Sequence, residues 1–357
     1  MNSDSVVGCL LGLAVGDALG LPREKLSRRR GARLFPDADQ RHRFLGAHGV
    51  FSDDTEHACF VAQALLRSGG DPEAFQKDLS RRLRWWALAL PAGAGWATLL
   101  ASFKLWLGVP RDRSGVVSAG NGPAMRAPLL GVCLGDDLER MAMFLRFSTR
   151  LTHIDPKSEY GAFAIAWAAH RASYLGPDEV VSPRQFVDEL RQVVKGDKHS
   201  SRLFDRLDAM VLSLERGQTT EEFATVMEWD RGVGGYILET VPAALHAWLQ
   251  HPKDYHAAVG SVIRCGGDTD TVAAITGALV GAHVGKAGIP AEWLAGIIDW
   301  PRTVRWIEGL ALEVAKGEWL TTPQPAKRLA VWAIPFRNAL FLAWVLKHGF
   351  RRLLPPY

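Results

Sequence analysis

CGGDTDTVAAITGALVGAHVG, residues 265–285, joins a glycine pair, four oxygen-bearing side chains and an apolar helical pattern. Gly266 and Gly267 permit a tight turn because they lack a β-carbon. Asp268 to Thr271 then stand where a helix begins, and apolar residues recur after them at helical spacing. The small residues that let another helix approach this one closely are Ala273, Ala274, Gly277 and Gly281. The stretch predicts a glycine turn leading into a closely packed helix.

The same stretch predicts a site for a ligand. Asp268 and Asp270, with Thr271 beside them, can aim three oxygens at one point, and hard cations such as Mg²⁺ or Mn²⁺ prefer such ligands. The alternative is a helix cap, because Asp and Thr are common cap residues. Two Asp and two Thr within four residues exceed what a cap needs. From these residues alone, a metal site, a phosphate site and a cap stay open.

A second cluster of the same kind lies far upstream. Ser52, Asp53, Asp54 and Thr55 precede a helix predicted from about Glu56 to Ser68, which Gly69 and Gly70 close. If the fold brings the two clusters together, their oxygens form a cage. Such a cage suits two divalent ions about 3.5–4 Å apart.

Five motifs in order resemble the ADP-ribosylglycohydrolase family, which includes the dinitrogenase reductase-activating glycohydrolase and the ADP-ribosyl-acceptor hydrolases. They are GCLLGLAVGDALGLPRE (8–24), SDDT (52–55), GNGPAMR (120–126), LTHIDP (151–156) and GGDTDT (266–271). GVGGYILET (232–240) resembles a further glycine loop of the family. The resemblance covers about Val6 to Gly285 and implies a compact all-α, multi-helix domain with a binuclear metal site in a central cleft. The absence of sustained strand alternation agrees with that fold.

The resemblance also implies roles for individual residues. Two Mg²⁺ ions, or Mn²⁺, would be held by Ser52, Asp53, Asp54, Asp268, Asp270 and Thr271. Glu24 matches a glutamate that lies on a mobile flap in acceptor hydrolases and takes part in catalysis. We therefore predict Glu24 as general acid or base, with Asp53 and Asp270 as the other catalytic carboxylates. Ser52 stands where many relatives carry Thr, and either residue offers one hydroxyl oxygen.

Substrate contacts are carried over in the same way. The family's loop at Gly120, Asn121 and Gly122 contacts the diphosphate of ADP-ribose, and the T-H motif at His153 contacts the nucleotide. Gly234, Gly235 and Tyr236 correspond to residues that line the ADP-ribose cleft. Each has a structural alternative, because glycine and Asn are common in turns and a histidine before a helix is often structural.

The implied reaction cleaves the glycosidic bond between the distal ribose and an acceptor. The partner is thus an ADP-ribosylated protein or small molecule, linked through arginine, serine or another group. Two alternatives stay open: a non-catalytic ADP-ribose-binding or nucleotide-binding member, and a metal-dependent phosphohydrolase. The retained Asp residues favour an active enzyme.

Composition narrows the classes further. The net charge of +4 over 357 residues gives no support for a nucleic-acid surface. Cys9, Cys59, Cys133 and Cys265 are scattered, which indicates reduced thiols and a cytoplasmic protein. The apolar run Val6 to Val15 lacks a preceding Lys or Arg. It therefore indicates a buried first helix rather than a signal peptide.

The last part of the chain stands apart from the family pattern. We predict a catalytic domain over residues 1–317 and an apolar, basic tail over 318–357. Pro335, Arg337 and Asn338 interrupt the tail, and Ala339 to Leu346 is too short to span a bilayer. It can pack on the domain, bind a partner or lie on a membrane surface. Packing is the favoured alternative.

Overall fold

The computed structural model describes residues 1–36, 40–89, 91, 93–176, 179–194 and 199–355, and helices dominate them. In order, the helices are α1 (Ser3–Gly20), α2 (Arg28–Leu34), α3 (Asp53–Ser68), α4 (Pro72–Leu88), α5 (Trp96–Trp106), α6 (Gly122–Met125), α7 (Ala127–Leu134), α8 (Leu138–Arg150), α9 (Pro156–Tyr174), α10 (Pro183–Val193), α11 (Ser201–Glu215), α12 (Thr220–Val226), α13 (Ile237–Gln250), α14 (Tyr255–Cys265), α15 (Thr269–Val284), α16 (Ala291–Ala295), α17 (Val304–Ala315) and α18 (Ile334–Arg351). Two strands of two residues each, β1 (Leu26–Ser27) and β2 (Gly266–Gly267), pair antiparallel. The all-α prediction is confirmed.

The centre of the fold is the antiparallel pair α1 and α15, and the predicted close approach is observed. A β-carbon placed on Gly8 would lie 2.0 Å from the carbonyl oxygen of Gly281, and one on Gly12 would lie 2.2 Å from that of Gly277. One helical turn further on, a β-carbon on Gly16 would lie 2.1 Å from the carbonyl oxygen of Ala273. This register brings the end of α1 beside the start of α15, where the acidic cluster stands.

The packing of α1 on α15 leads to a stability prediction. We expect Gly12→Ala to lower the free energy of unfolding by about 2–3 kcal/mol, because the new methyl group overlaps the backbone of Gly277 and the helices must shift. Urea denaturation measures the change. Gly349→Ala is the matched control: Gly349 is also helical, but no heavy atom lies within 4 Å of its added β-carbon. An unchanged urea midpoint for Gly12→Ala would contradict the close packing.

Helix α3 begins three residues earlier than the sequence pattern predicts. The Ser52 hydroxyl accepts a hydrogen bond from the Asp54 amide, which caps the helix at Asp53. Its other end is at Gly69, in the left-handed conformation with φ +59°. Farther along, Glu56 is buried between Arg302 and the indole N–H of Trp86, which donates to it at 2.7 Å. These contacts fix the helix that carries the upstream acidic cluster.

The N-terminal apolar run forms a helix that lies inside the protein. Residues Ser3–Arg23 form a stretch long and apolar enough to cross a membrane by length and composition, yet it is wholly buried among other helices. The four cysteines are buried and free of disulfides. Both observations agree with the sequence-based expectations for these residues.

The aromatic stripe formed by Trp85, Trp86, Trp96 and Trp106 predicts core burial, but most of these tryptophans are exposed. Trp86 is buried as expected, whereas Trp85 and Trp96 are 66% and 77% exposed, and Trp106 is 45% exposed. The aromatic spacing of α4 and α5 was therefore a poor guide to burial. The physical reason is that each helix packs by one face, and the outer face of α4 also carries aromatic residues.

The C-terminal tail packs against the rest of the chain. Arg337 forms a buried ion pair with Asp299 at 2.6 Å, and the Asn338 side-chain amide donates to Ala89 O at 2.8 Å. α18 also packs on the segment between α2 and α3. His348 Nε2 lies 2.8 Å from Phe44 O, and the Phe44 ring stacks on Phe341. The boundary at residue 317 stays a prediction.

Candidate active site

The two acidic clusters meet where α1 ends and α3 and α15 begin. Asp17, in the last turn of α1, accepts hydrogen bonds from the amides of Ser52 and Thr55 at 2.9 and 3.1 Å. The Thr55 hydroxyl donates to the same carboxylate at 2.6 Å. Asp17 thus holds the start of α3 against α1. Because α15 packs along α1, both clusters face the same cleft.

Asp54 joins the clusters directly. Its Oδ2 accepts from the Ser52 hydroxyl at 3.0 Å and from the Thr271 hydroxyl at 3.1 Å. The predicted ligands of SDDT and GGDTDT are therefore neighbours. The sequence left open whether the fold brings the two acidic clusters together. In the structure they are in contact.

Several oxygens in this cluster lack a protein partner. Asp54 Oδ1 and Asp270 Oδ1 are buried and accept no hydrogen bond among the described residues. Asp268 lies at the position of a helix cap but makes no capping bond; its Oδ2 accepts from the Asn121 side-chain amide at 2.6 Å. Buried carboxylate oxygens without donors are costly unless a cation or proton neutralises them. The donor set therefore fits divalent metal ions.

Glu24 completes the acidic group from the loop after α1. One carboxylate oxygen each of Glu24, Asp268 and Asp270 lies within 4.8 Å of the others. Lys25 pairs with Glu24 at 2.7 Å, and the Lys25 amide donates to Gly267 O at 2.6 Å. The pairing of β1 with β2 continues this contact. Glu24 is thus tied to the glycine turn that carries Asp268.

Burial and mutual repulsion raise the pKa of most of these carboxyl groups. Burial raises the pKa of Asp17 to about 6, against hydrogen bonds that lower it. The pKa of Asp53 rises to about 7 through burial and then repulsion from Asp17. Burial and neighbouring carboxylates hold the pKa of Asp54 and of Asp270 well above the ordinary range, and burial raises that of Asp268. The cluster therefore favours a bound cation or bound protons.

The acidic group forms the floor of a cleft of about 800 Å³. The predicted site residues that line it are Glu24, Asp53, Gly120, Asn121, Gly122, His153, Gly234, Gly235, Asp268, Asp270 and Thr271. Ser52, Asp54 and Tyr236 do not line it. Ser52 and Asp54 lie beneath the floor, and Tyr236 contributes a backbone bridge with Gly120 that joins the two glycine loops.

Two amides of the first glycine loop already have partners within the protein. The Asn121 amide donates to Gly235 O at 3.0 Å, and the Gly120 amide to the Ser118 hydroxyl at 3.3 Å, so neither is free. The missing side chains instead make room for neighbours. A β-carbon on Gly120 or on Gly122 would lie 3.0 Å from the His153 ring, and one on Gly235 would lie 3.0 Å from Asp268 Oδ2.

Comparison with known proteins agrees with this geometry. A family model described as ADP-ribosylglycohydrolase matches residues 2–323. The chain belongs to the ADP-ribosylglycohydrolase family. It is 27% identical to ADP-ribosylhydrolase ARH3 of Bos taurus, over 80% of this chain and 86% of that one. It is 25% identical to ADP-ribosylarginine hydrolase Tri1 of Serratia proteamaculans, over 86% and 79%.

A solved structure extends the similarity to the fold. The structure titled ADP-ribosylglycohydrolase-related protein complex superposes with a TM-score of 0.63 at 27% identity, covering 88% of this chain and 98% of that one. The resemblance stated from the motifs is therefore confirmed. Membership in the ADP-ribosylglycohydrolase family supports a hydrolase that acts on ADP-ribosyl groups.

Two buried residues of this ADP-ribosylglycohydrolase received no role from sequence. Asp17 anchors α3, and a lone Asp in the apolar run of α1 was the signal that could have identified it. Arg126 is fully buried and donates to the Thr152 hydroxyl at 2.7 Å and to Ser148 O at 3.1 Å. The motif GNGPAMR does not indicate that the Arg126 side chain reaches Ser148 and Thr152.

Arg126 also acts on His153 through Thr152. The Thr152 hydroxyl lies 2.9 Å from His153 Nδ1. Burial, with Arg126 as a secondary cause, lowers the pKa of His153 to about 3, so the ring is neutral at neutral pH. The Thr152 hydroxyl also donates to Thr149 O at 3.4 Å, so its oxygen links Arg126, Thr149 and His153. His153 lines the cleft, where Nε2 of its neutral ring can form a hydrogen bond with a ligand.

Proposed function

We propose that this protein is a metal-dependent hydrolase that removes ADP-ribose from a modified arginine or serine side chain, or from a small acceptor, by cleaving the glycosidic bond. The observation that carries the proposal is the pair of acidic clusters on the floor of one cleft, where buried oxygens of Asp54 and Asp270 have no donor among the residues that the structure describes. A pure binding module has no need for such a concentration of unneutralised carboxylates.

The residues divide into a reacting group and a binding group. Glu24 stands at the cleft with its carboxylate close to Asp268 and Asp270, in position to transfer a proton to the leaving group or from a water. The carboxylates of Asp53, Asp268 and Asp270 supply negative charge beside the ribose carbon, where oxocarbenium-like positive charge develops. All four carboxylates therefore act directly at the glycosidic bond that is cleaved.

The binding group forms the cleft walls. His153 Nε2 is placed to form a hydrogen bond with a ribose hydroxyl between the two glycine loops. Trp96 is exposed and lines the same cleft, so it offers a face on which a base can stack. Trp96 lies outside the quoted motifs, so the resemblance did not suggest this contact.

Two Mg²⁺ ions, or Mn²⁺, would be held by Asp53, Asp54, Asp268, Asp270 and Thr271, with Ser52 acting through its hydrogen bond to Asp54. Bound there, divalent ions supply positive charge that polarises substrate oxygens and eases deprotonation of water. The chain's own contribution is to keep the carboxylates dry, close together and short of hydrogen-bond donors.

The direct test is release of free ADP-ribose from arginine-linked and from serine-linked substrates, with Mg²⁺, with Mn²⁺ and with chelator. We expect metal-dependent release from at least one linkage, and the faster substrate names the acceptor. Release of inorganic phosphate or AMP without free ADP-ribose would replace the proposal with a phosphohydrolase. Tight ADP-ribose binding with no release from either substrate would indicate a binding module.

Metal binding should also be visible in stability. Raised carboxyl pKa values mean that the folded, metal-free protein binds more protons than the unfolded chain between about pH 4 and pH 7, so this cluster lowers stability as pH rises through that window. Mg²⁺ replaces those protons. We expect it to raise the unfolding temperature more at about pH 8 than at about pH 5, with about 2.7 kcal/mol of stabilisation at a hundred times its Kd. KCl at equal ionic strength is the control, and an equal effect of both salts would contradict a specific site.

A further inference from the structure

The C-terminal helix α18 has two different faces. Its inner face is held to the protein by the Arg337–Asp299 ion pair, by the Asn338–Ala89 hydrogen bond and by buried Phe341. Its outer face is almost entirely apolar and open. The large apolar side chains exposed on it and on the turn that follows are Phe336, Leu340, Leu342, Leu346, Phe350, Leu353 and Leu354.

The apolar surface continues beyond the helix. Trp332 is 70% exposed and packs edge to face on half-exposed Trp300, with ring centres 5.5 Å apart. A groove of about 240 Å³ runs from Trp300 past Phe336 and Leu340. A second cavity, of about 500 Å³, opens on the other side of the tail beside exposed Trp85. We call this whole surface, from Trp85 to Leu354, the tail face. Apolar patches of this extent on a soluble domain mark a docking site.

The charged residues of the tail segment itself have one sign. No Asp or Glu occurs after Glu318, whereas that segment carries six basic residues: Lys327, Arg328, Arg337, Lys347, Arg351 and Arg352. Of these, Lys347 and Arg351 are exposed among the apolar side chains of the outer face. Lys347 Nζ lies 3.7 Å from the ring centre of Trp344. Exposed Trp, Phe and Leu with interleaved Lys and Arg suit the boundary between acyl chains and anionic headgroups.

We propose that the tail face docks on the surface of an anionic lipid bilayer, with α18 parallel to the membrane plane. The charge pattern disfavours a second copy as the occupant, because a two-fold interface would set the basic tail segment against itself, and that segment carries no carboxylate after Glu318 to pair it. The outer side of α18 exposes large apolar side chains with Lys347 and Arg351 among them. Such a set of side chains suits a deformable headgroup layer.

Docking of this kind leaves the fold unchanged. The inner face of α18 keeps its contacts with Asp299, Ala89 and Phe44, and only side chains that are already exposed enter the lipid. The proposal does not depend on the hydrolase activity, since none of the tail-face residues named here lines the acidic cleft. A failure of either proposal therefore leaves the other standing.

Flotation with vesicles tests the proposal in the full-length protein. We expect binding to vesicles of phosphatidylcholine mixed with phosphatidylglycerol, and much weaker binding to phosphatidylcholine alone. Leu340→Glu combined with Phe350→Glu should abolish it. Leu212→Glu is the matched control, because Leu212 is a similarly exposed helical leucine on α11, away from the tail. Its binding should match that of the wild type.

A second pair of variants separates charge from apolar contact. Lys347→Gln and Arg351→Gln should each weaken binding to the anionic vesicles by about fivefold and leave the unfolding temperature unchanged. No binding to anionic vesicles would overturn the proposal. So would binding that Leu340→Glu with Phe350→Glu leaves intact, or concentration-dependent dimers in light scattering that those substitutions dissolve, which would assign the face to a second copy.

Discussion

Asp270→Asn is expected to lower ADP-ribose release by about a thousandfold or more, a loss of about 4 kcal/mol of transition-state stabilisation. Asp270 is buried, its Oδ1 has no donor within the described structure, and its carboxylate lies close to those of Asp268 and Glu24. An amide of the same size removes the charge and presents N–H groups to any cation bound there. The measurement is the rate of ADP-ribose release at saturating metal.

The same variant distinguishes lost chemistry from lost folding. Removing a buried charge whose pKa is raised by burial and by neighbouring carboxylates should stabilise the metal-free protein above about pH 5. We therefore expect a higher unfolding temperature in chelator and a smaller rise on adding Mg²⁺. Asp254→Asn is the control, since Asp254 caps α14 from an exposed position and Asn caps equally well. Full activity of Asp270→Asn would contradict the assigned site.

The central helix pair shows what sequence can predict. The small residues after Thr271, among them Gly277 and Gly281, indicated close helix packing, and the structure has backbone contacts at those positions. This spacing lies within one segment of the chain, so it can be recognised in the sequence without knowing which helix packs against it. The meeting of the two acidic clusters is different. It depends on the register of α1 against α15, and only the family resemblance supplied that information.

The caps show why the rest could not be predicted. Ser52 and Asp268 both precede a helix in similar clusters, yet Ser52 caps its helix and Asp268 does not. The difference comes from Asn121, more than a hundred residues away, which donates to Asp268 at 2.6 Å. The acceptors of the Gly120 and Asn121 amides, Ser118 and Gly235, are likewise set by how the loops fold back on each other. The capping and turn propensities of single residues carry no information about such distant partners.

Glu24→Gln is expected to lower kcat by about 10²–10⁴-fold while changing the affinity for free ADP-ribose little. Glu24 reaches the acidic group from the loop after α1 and forms an ion pair with the largely exposed Lys25. Gln keeps the size and the hydrogen-bonding reach of Glu but can neither give nor take the proton. Single-turnover rates and ADP-ribose titrations with the same preparation measure the two quantities separately.

Glu24 has a competing role as a metal ligand, because its carboxylate is grouped with those of Asp268 and Asp270. The two roles predict different behaviour. If Glu24 transfers the proton to the leaving group, Glu24→Gln should impair a substrate with an acidic phenol as leaving group far less than an arginine-linked or serine-linked one. If Glu24 holds a cation, Glu24→Gln should bind Mn²⁺ more weakly than the wild type, and excess metal should restore its rate on both substrates. Because Lys25 and the β1–β2 pairing hold the Glu24 loop at the glycine turn beside Asp268, we expect the first result.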